Sequence, residues 1–119
     1  MSLLRIITNC SPRLLVVIFS KSYCPHSARA KSIILDKYSV VPAPQVVELN
    51  LHPLGARLQE VLAESTGRRT VPNVLVNGKS VGGGDDVAAL DKKGELASTL
   101  KTLGGNWVTE VKTKERKDS

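Results

Sequence analysis

Apolar positions along this chain fall into two rhythms. Leu14-Leu15-Val16-Val17-Ile18-Phe19 is an unbroken apolar run rich in β-branched residues. It predicts a central strand buried on both faces. Val46-Val47-Glu48-Leu49 and Val74-Leu75-Val76 predict two further strands. Asn77-Gly78 is a strong two-residue hairpin signal, so a strand around Lys79 to Val81 returns antiparallel. Between these runs the spacing changes to that of helices. Leu3, Leu4, Ile6 and Ile7 suit a short amphipathic helix, ended by Ser11-Pro12. Pro25 suits a first helical position. Ala30, Ile33 and Ile34 then share one apolar face through about Tyr38. Leu54, Leu58, Val61 and Leu62 mark a helix to about Thr66, with Gly67 as its C-cap.

A helix opened by Asp85 and Asp86 carries Val87 and Leu90 and stops near Gly94. Leu96, Leu100 and Leu103 mark the last helix, closed by Gly104-Gly105. Val40-Val41-Pro42-Ala43-Pro44 reads as a connector, because the prolines exclude a helix. Residues 106–119 lack periodicity apart from Trp107 and Val108. The expected order is helix, strand, helix, strand, helix, strand, hairpin turn, strand, helix, helix. The first two strands form a parallel unit and the last two a hairpin on the same sheet. There are no internal repeats. The expected division is a lead-in over 1–13, one domain over 14–105 and a basic tail over 106–119.

Composition narrows the function. The 119 residues suit one domain of ordinary size. Aromatics make up only 3% of the chain, which argues against a stacking platform for nucleic-acid bases. The net charge of +6 owes much to Lys112-Thr113-Lys114-Glu115-Arg116-Lys117, read as a solvated, mobile end. A basic core would favour anionic small substrates by steering. No stretch reaches the ~18 apolar residues of a membrane span. The N-terminal apolar stretch is too short and broken for a signal-peptide core. The chain as given therefore suits the cytoplasm, or a secretory-pathway lumen if an upstream anchor has been removed.

Chemistry concentrates at Cys24-Pro25-His26-Ser27. A cysteine that leaves a buried strand and opens a helix sits where backbone N–H groups and the helix dipole favour a thiolate, the form that attacks disulfides. The second cysteine of a C-x-x-C motif is absent, and Ser27 stands in its place. Serine keeps a hydroxyl donor but forms no disulfide, so a small external thiol must supply the second sulfur. Cys10, in a loop or helix end before the first strand, reads as a free thiol; a resolving role is the alternative. Lys21 adds positive charge near Cys24 or binds a carboxylate, against the plainer reading of a solvated lysine.

The segments Ser20-Lys21-Ser22-Tyr23-Cys24-Pro25-His26-Ser27, Thr70-Val71-Pro72, Asn77-Gly78 and Gly82-Gly83-Gly84-Asp85-Asp86 together resemble the glutaredoxins. Four separated motifs stand in the family's order, and the resemblance covers about Leu14 to Leu103. It implies the thioredoxin fold, an α/β architecture with a four-stranded mixed sheet flanked by helices. It implies a glutathione-dependent disulfide oxidoreductase with Cys24 as nucleophile. It also implies a cis peptide before Pro72, with Thr70, Val71 and Pro72 beside Cys24 and the Val71 backbone pairing with extended glutathione. Gly82-Gly83-Gly84, with Gly83 at its centre, permits close approach of the ligand. The Asp85 N–H and Asp86 side chain then take the γ-glutamyl end, and Lys21 and Gln59 take the glycine carboxylate. Arg68 and Arg69 are further positive candidates, or a solvated loop.

His26 stands where a tyrosine is usual, and it either lines the groove with pH dependence near neutrality or is a half-exposed spacer. The chain lacks the features of the Cys-Gly-Phe-Ser branch and looks like a dithiol-type scaffold without its resolving cysteine, similar to fungal secretory-pathway monothiol glutaredoxins. Expected partners are glutathione and glutathionylated proteins or small thiols, met by a monomer. The rival reading is a dimer holding a [2Fe–2S] cluster through two Cys24 thiolates and two glutathiones, which Pro25 disfavours.

Overall fold

The computed structural model describes residues 16–41, 44–105 and 110–113. The predicted N-terminal helix, Cys10, Leu14 and Leu15 lie outside the described residues. The elements are β1 (Val16–Ser20), α1 (Pro25–Lys31) running on as a π-turn over Ser32–Asp36, β2 (Tyr38–Val41) and β3 (Gln45–Glu48). They continue with α2 (Gly55–Thr66), β4 (Asn73–Val76), β5 (Lys79–Gly82), α3 (Gly84–Lys93), α4 (Leu96–Gly104) and β6 (Glu110–Thr113).

The main sheet has the order β3-β1-β4-β5. β1 pairs parallel with β3 and antiparallel with β4, and β4 pairs antiparallel with β5. β1 is thus the inner strand that the apolar run predicts, and all five of its residues are buried. The alternation of side chains along a strand divides the core into two layers. Val16 and Ile18 of β1 and Val74 and Val76 of β4 face Ile33, Ile34, Val87, Leu96 and Leu100 from the π-turn, α3 and α4. Val17, Phe19 and Leu75 point to the other side, onto Leu49, Leu58 and Leu62. Each such fully buried Leu or Phe contributes about 1.5–3 kcal/mol of transfer free energy.

Local signals hold at most boundaries. Gly67 caps α2 with a left-handed φ of 78°, and Asn77 and Gly78 turn the β4–β5 hairpin with φ of 53° and 80°.

Three expectations differ from the fold. The helix expected to reach Tyr38 ends earlier, through the π-turn at Asp36, and Tyr38 enters a strand. Val40 and Val41, read as a connector, belong to that strand, β2. Its partner is β6, which lies beyond the expected domain limit of 105 and inside the segment read as a solvated tail. The two-stranded sheet pairs Val40 with Val111, and Val111 packs against the same core layer as buried Val40. Only long-range pairing makes strands of these residues. The Tyr38 hydroxyl also donates to Asp91 Oδ1 at 2.7 Å, while Lys37 Nζ holds Oδ2 at 2.6 Å. Burial, with the Asp91 carboxylate adding to it, pushes the Tyr38 hydroxyl up to about 12. Burial pulls Asp91 upward too, but the Lys37 and Tyr38 hydrogen bonds outweigh it and hold Asp91 below its ordinary value.

Candidate functional site

β1 ends at Ser20, and the chain turns through Lys21-Ser22-Tyr23 into Cys24, the N-cap of α1. The turn closes with the Cys24 N–H on the Lys21 carbonyl at 3.0 Å. It is laced to the end of β3 from the side. The Leu49 N–H donates to the Ser20 carbonyl at 2.8 Å. The Ser22 N–H donates to Asn50 Oδ1 at 2.9 Å, and Asn50 Nδ2 returns a bond to Ser22 Oγ at 2.8 Å. Buried Ser20 donates its hydroxyl to Glu48, which Lys31 of α1 also holds at 2.7 Å. Burial raises the Glu48 carboxyl, but those two partners more than offset it and leave it below its ordinary value. The Cys24 loop is thus fixed to the strand beneath it and to the helix it opens.

Cys24 has extended backbone, with φ −87° and ψ 122°, and Pro25 follows as the first helical residue. No acidic residue stands in the first turn of α1. The N–H groups that a helix leaves unpaired at its start therefore face the sulfur uncompensated. The Ser27 N–H holds the thiol below its ordinary value, against the opposing effect of burial. The Ser27 hydroxyl, the His26 N–H and the Lys21 charge add to the lowering. Ser27 is fully buried, and its Oγ also accepts the Lys21 N–H at 3.3 Å. The residue in place of a second cysteine thus supports the thiolate through both its backbone and its side chain.

Beside the head of α1 lies a cleft of about 440 Å³. It is lined by His26, Thr70, Val71, Pro72, Gly83, Asp85 and Asp86 from the predicted set, together with Arg68 and Gly84. The Val71–Pro72 peptide is cis, as the resemblance implies. Among the described residues no hydrogen bond engages the Val71 backbone. The cleft needs its glycines. A Cβ on Gly84 would lie 3.0 Å from the His26 carbonyl oxygen, so the starts of α1 and α3 meet there in close contact. A Cβ on Gly83 would lie 2.8 Å from Arg68 Nη1 and 3.1 Å from the Pro72 carbonyl oxygen.

Three predicted residues stand outside this lining. Cys24 and Lys21 precede it on the loop that leads into His26. Gln59 is half-buried on α2 and donates to the Arg69 carbonyl at 2.8 Å, so it braces the loop before Thr70. Asp86 lines the cleft but already has partners: its Oδ2 accepts the Gly83 N–H at 2.9 Å and Arg68 Nη2 at 2.9 Å. Asp85 pairs with Arg29 of α1 across the surface. Arg68, one of two adjacent arginines with no distinguishing spacing, turns into the cleft, while Arg69 is exposed. Gly84 belongs to the predicted glycine motif, whereas Asn50 had no signal of its own.

A [2Fe–2S] cluster takes four thiolate ligands. Cys24 is the one cysteine among the described residues, and these contain no group of three or more His, Cys, Asp or Glu placed to hold a metal ion. One chain offers one such thiolate among the described residues, so a cluster would need a second chain and two external thiols. No helix among the described residues is long and apolar enough to cross a membrane.

Comparison with known proteins agrees with this geometry. The family model described as Glutaredoxin matches residues 16–81. Glutaredoxin-C4 of Arabidopsis thaliana is 47% identical over 89 residues, which are 75% of this chain and 64% of that protein. Monothiol glutaredoxin-7 of Saccharomyces cerevisiae is 38% identical over 104 residues, 87% of this chain and 51% of that protein. The chain therefore spans about half to two thirds of the length of these relatives. The buckwheat glutaredoxin–glutathione complex superposes with a TM-score of 0.67 at 31% identity, covering 86% of this chain and 94% of that one. With its mixed sheet, its helix-capping cysteine and its cis-proline cleft, the chain has the thioredoxin fold and belongs to the glutaredoxin family.

Proposed function

We propose that this chain is a glutathione-dependent thiol-disulfide oxidoreductase that works through one thiol, Cys24, on mixed disulfides of glutathione. The observation that carries the reading is the depressed Cys24 thiol at the head of α1 with Ser27, not a second cysteine, one turn on. The glutathione complex of the buckwheat relative and the monothiol yeast relative support it.

In the first step the Cys24 thiolate attacks the glutathione sulfur of a glutathionylated substrate. A Cys24–glutathione disulfide forms, the substrate's S–S bond breaks, and the substrate leaves as a thiolate that takes a proton from water. In the second step a free glutathione thiolate attacks the glutathione sulfur of that disulfide. Oxidised glutathione departs and the Cys24 thiolate returns. Both steps are disulfide exchanges, so no outside electron acceptor is needed, and their rates follow thiolate fraction and leaving-group acidity. The protein supplies a ready thiolate and a cleft that orients glutathione. Val71 offers backbone pairing to the cysteinyl residue, Asp86 and the first turn of α3 meet the γ-glutamyl end, and Lys21 meets the glycine carboxylate.

The test is deglutathionylation of a small mixed disulfide by the full chain and by Ser27→Cys. The parent should turn over glutathione mixed disulfides while leaving a protein disulfide without glutathione unreduced. Ser27→Cys should gain an internal disulfide and some reduction of the latter. A parent that reduces protein disulfides without glutathione would refute the one-thiol reading. Visible charge-transfer absorption in freshly purified protein would replace it with the cluster-bound dimer.

A further inference from the structure

Arg68 is placed with unusual care for a loop cation. Its own N–H donates to Thr66 Oγ1 at 3.2 Å, just past the end of α2. Thr66 is in turn fixed by its bond to the Leu62 carbonyl at 2.7 Å and by buried Asn73, whose Nδ2 donates to Thr66 Oγ1 at 3.1 Å. From this anchor the guanidinium reaches into the cleft. Nη2 meets Asp86 Oδ2 at 2.9 Å, Nη1 meets Thr70 Oγ1 at 3.4 Å, and the group lies against Gly83, where a Cβ would stand 2.8 Å from Nη1. The cleft floor thus carries a positive and a negative group side by side.

The pair is not saturated. A guanidinium has five N–H donors in a planar fork. Two bonds are made to side chains here. Asp86 Oδ2 takes both of its carboxylate's bonds, and among the described residues Oδ1 takes none. The side chains keep 35% and 51% of their exposure, so water screens the pair and little binds it shut. A ligand that complements both members needs a carboxylate next to an ammonium. The γ-linked glutamyl group of glutathione has this feature, because its α-amino and α-carboxyl groups are both free.

Building on the glutathione reading above, we propose that Arg68 is a specificity-determining residue. It takes the α-carboxylate of the γ-glutamyl group through the free edge of its guanidinium while Asp86 Oδ1 takes the α-ammonium. The ion pair stays intact and reads the amino-acid head as a unit. Bidentate pairing of guanidinium and carboxylate supplies geometry as well as charge. Peptides with the same cysteinyl-glycine end but an incomplete head should lose the advantage one group at a time.

The experiment measures single-turnover transfer onto Cys24 in the full chain, read by mass, from three mixed disulfides with one common leaving thiol. One carries glutathione, one carries 4-aminobutanoyl-cysteinyl-glycine, which lacks the α-carboxylate, and one carries glutaryl-cysteinyl-glycine, which lacks the α-ammonium. Arg68→Gln should raise the half-saturating concentration about tenfold for glutathione, the scale of one charge-assisted bond. It should change the value for the carboxylate-free analogue by less than about twofold, since no partner remains to lose. Asp86→Asn should show the converse pattern on the ammonium-free analogue. Arg68→Lys keeps the charge without the fork and should fall between the parent and Arg68→Gln. Equal losses by Arg68→Gln on all three disulfides would overturn the assignment. Tighter binding in that variant would do so as well, because it would make Arg68 a competitor for Asp86. A parent unreactive toward the glutathione disulfide would instead sink the functional reading beneath it.

Discussion

α1 and α3 both begin at the cleft, and their first turns touch where His26 abuts Gly84. The two helix starts manage the same positive partial charge differently. At α1 the N-cap side chain is a thiol, proline occupies the first turn, and no carboxylate is present. The field of the unpaired N–H groups is left for the sulfur, and the thiol is lowered. At α3 the first turn carries Asp85 and Asp86, and Asp86 folds back onto the Gly83 N–H. There the field is met by the helix's own side chains, and the carboxylates are met in turn by Arg29 and Arg68. An uncompensated helix start leaves a lowered thiol, whereas a compensated one leaves a surface of paired opposite charges.

The largest expected effect sharpens the first half of that contrast. Cys24→Ser should drop disulfide exchange to the uncatalysed rate with unchanged circular dichroism, because the first turn of α1 loses its only nucleophile. Retained turnover would move the chemistry away from α1. Gly83→Ala comes next. The new Cβ meets Arg68 Nη1 at 2.8 Å and the Pro72 carbonyl at 3.1 Å. Arg68 yields at the end of its flexible side chain, so the cost falls mainly on the Pro72 contact and sits at the low end of overpacking, about 1 kcal/mol, or roughly fivefold in the Michaelis constant if it falls on binding. The Michaelis constant should rise while the iodoacetamide reactivity of Cys24 stays the same; a fall in thiol reactivity would show that the two helix starts are not independent.

A smaller effect is expected from Ser27→Ala. The Ser27 N–H remains as the leading cause of the lowered thiol, but the hydroxyl contribution is lost. The midpoint of alkylation rate against pH should move upward yet stay below that of a free thiol, about 8.5. Below the midpoint the variant should alkylate more slowly, because less thiolate is present; well above it the two rates should converge. An unchanged profile would assign the whole effect to the backbone.

The smallest effect belongs to Arg29→Ala, which breaks the ion pair joining α1 to Asp85 of α3. Its side chains are 46% and 87% exposed. Such pairs are worth about 0–1 kcal/mol and are screened by salt. The melting temperature should fall by no more than a few degrees at low salt and match the parent at high salt. A larger, salt-independent loss would mean that the two starts are bound together through Arg29 rather than through their close backbone contact.

The local pattern determined much of this protein. β1, β3, β4 and β5, the Asn77-Gly78 turn, the Gly67 cap and the placement of Cys24 before Pro25 all follow from apolar runs, turn residues and capping chemistry, which act over a few neighbouring residues. The gathering of His26, Thr70, Val71, Pro72, Gly83, Asp85 and Asp86 was legible because four motifs resemble one family in order and spacing. Contacts between segments distant in sequence were decided by the tertiary structure alone. Val40 and Val41 became strand because Glu110–Thr113 pairs beside them, and a segment with one apolar residue in four carries no period to announce that pairing. Arg68 and Arg69 are indistinguishable as neighbours in sequence. Thr66 and Asn73 anchor the backbone of one, Asp86 draws its guanidinium into the cleft, and Gln59 holds the carbonyl of the other. Asn50 gained its hold on Ser22 only when parallel pairing of β1 and β3 brought their ends together. Side-chain type sets what a residue is able to bond; packing of distant segments sets which bond it makes.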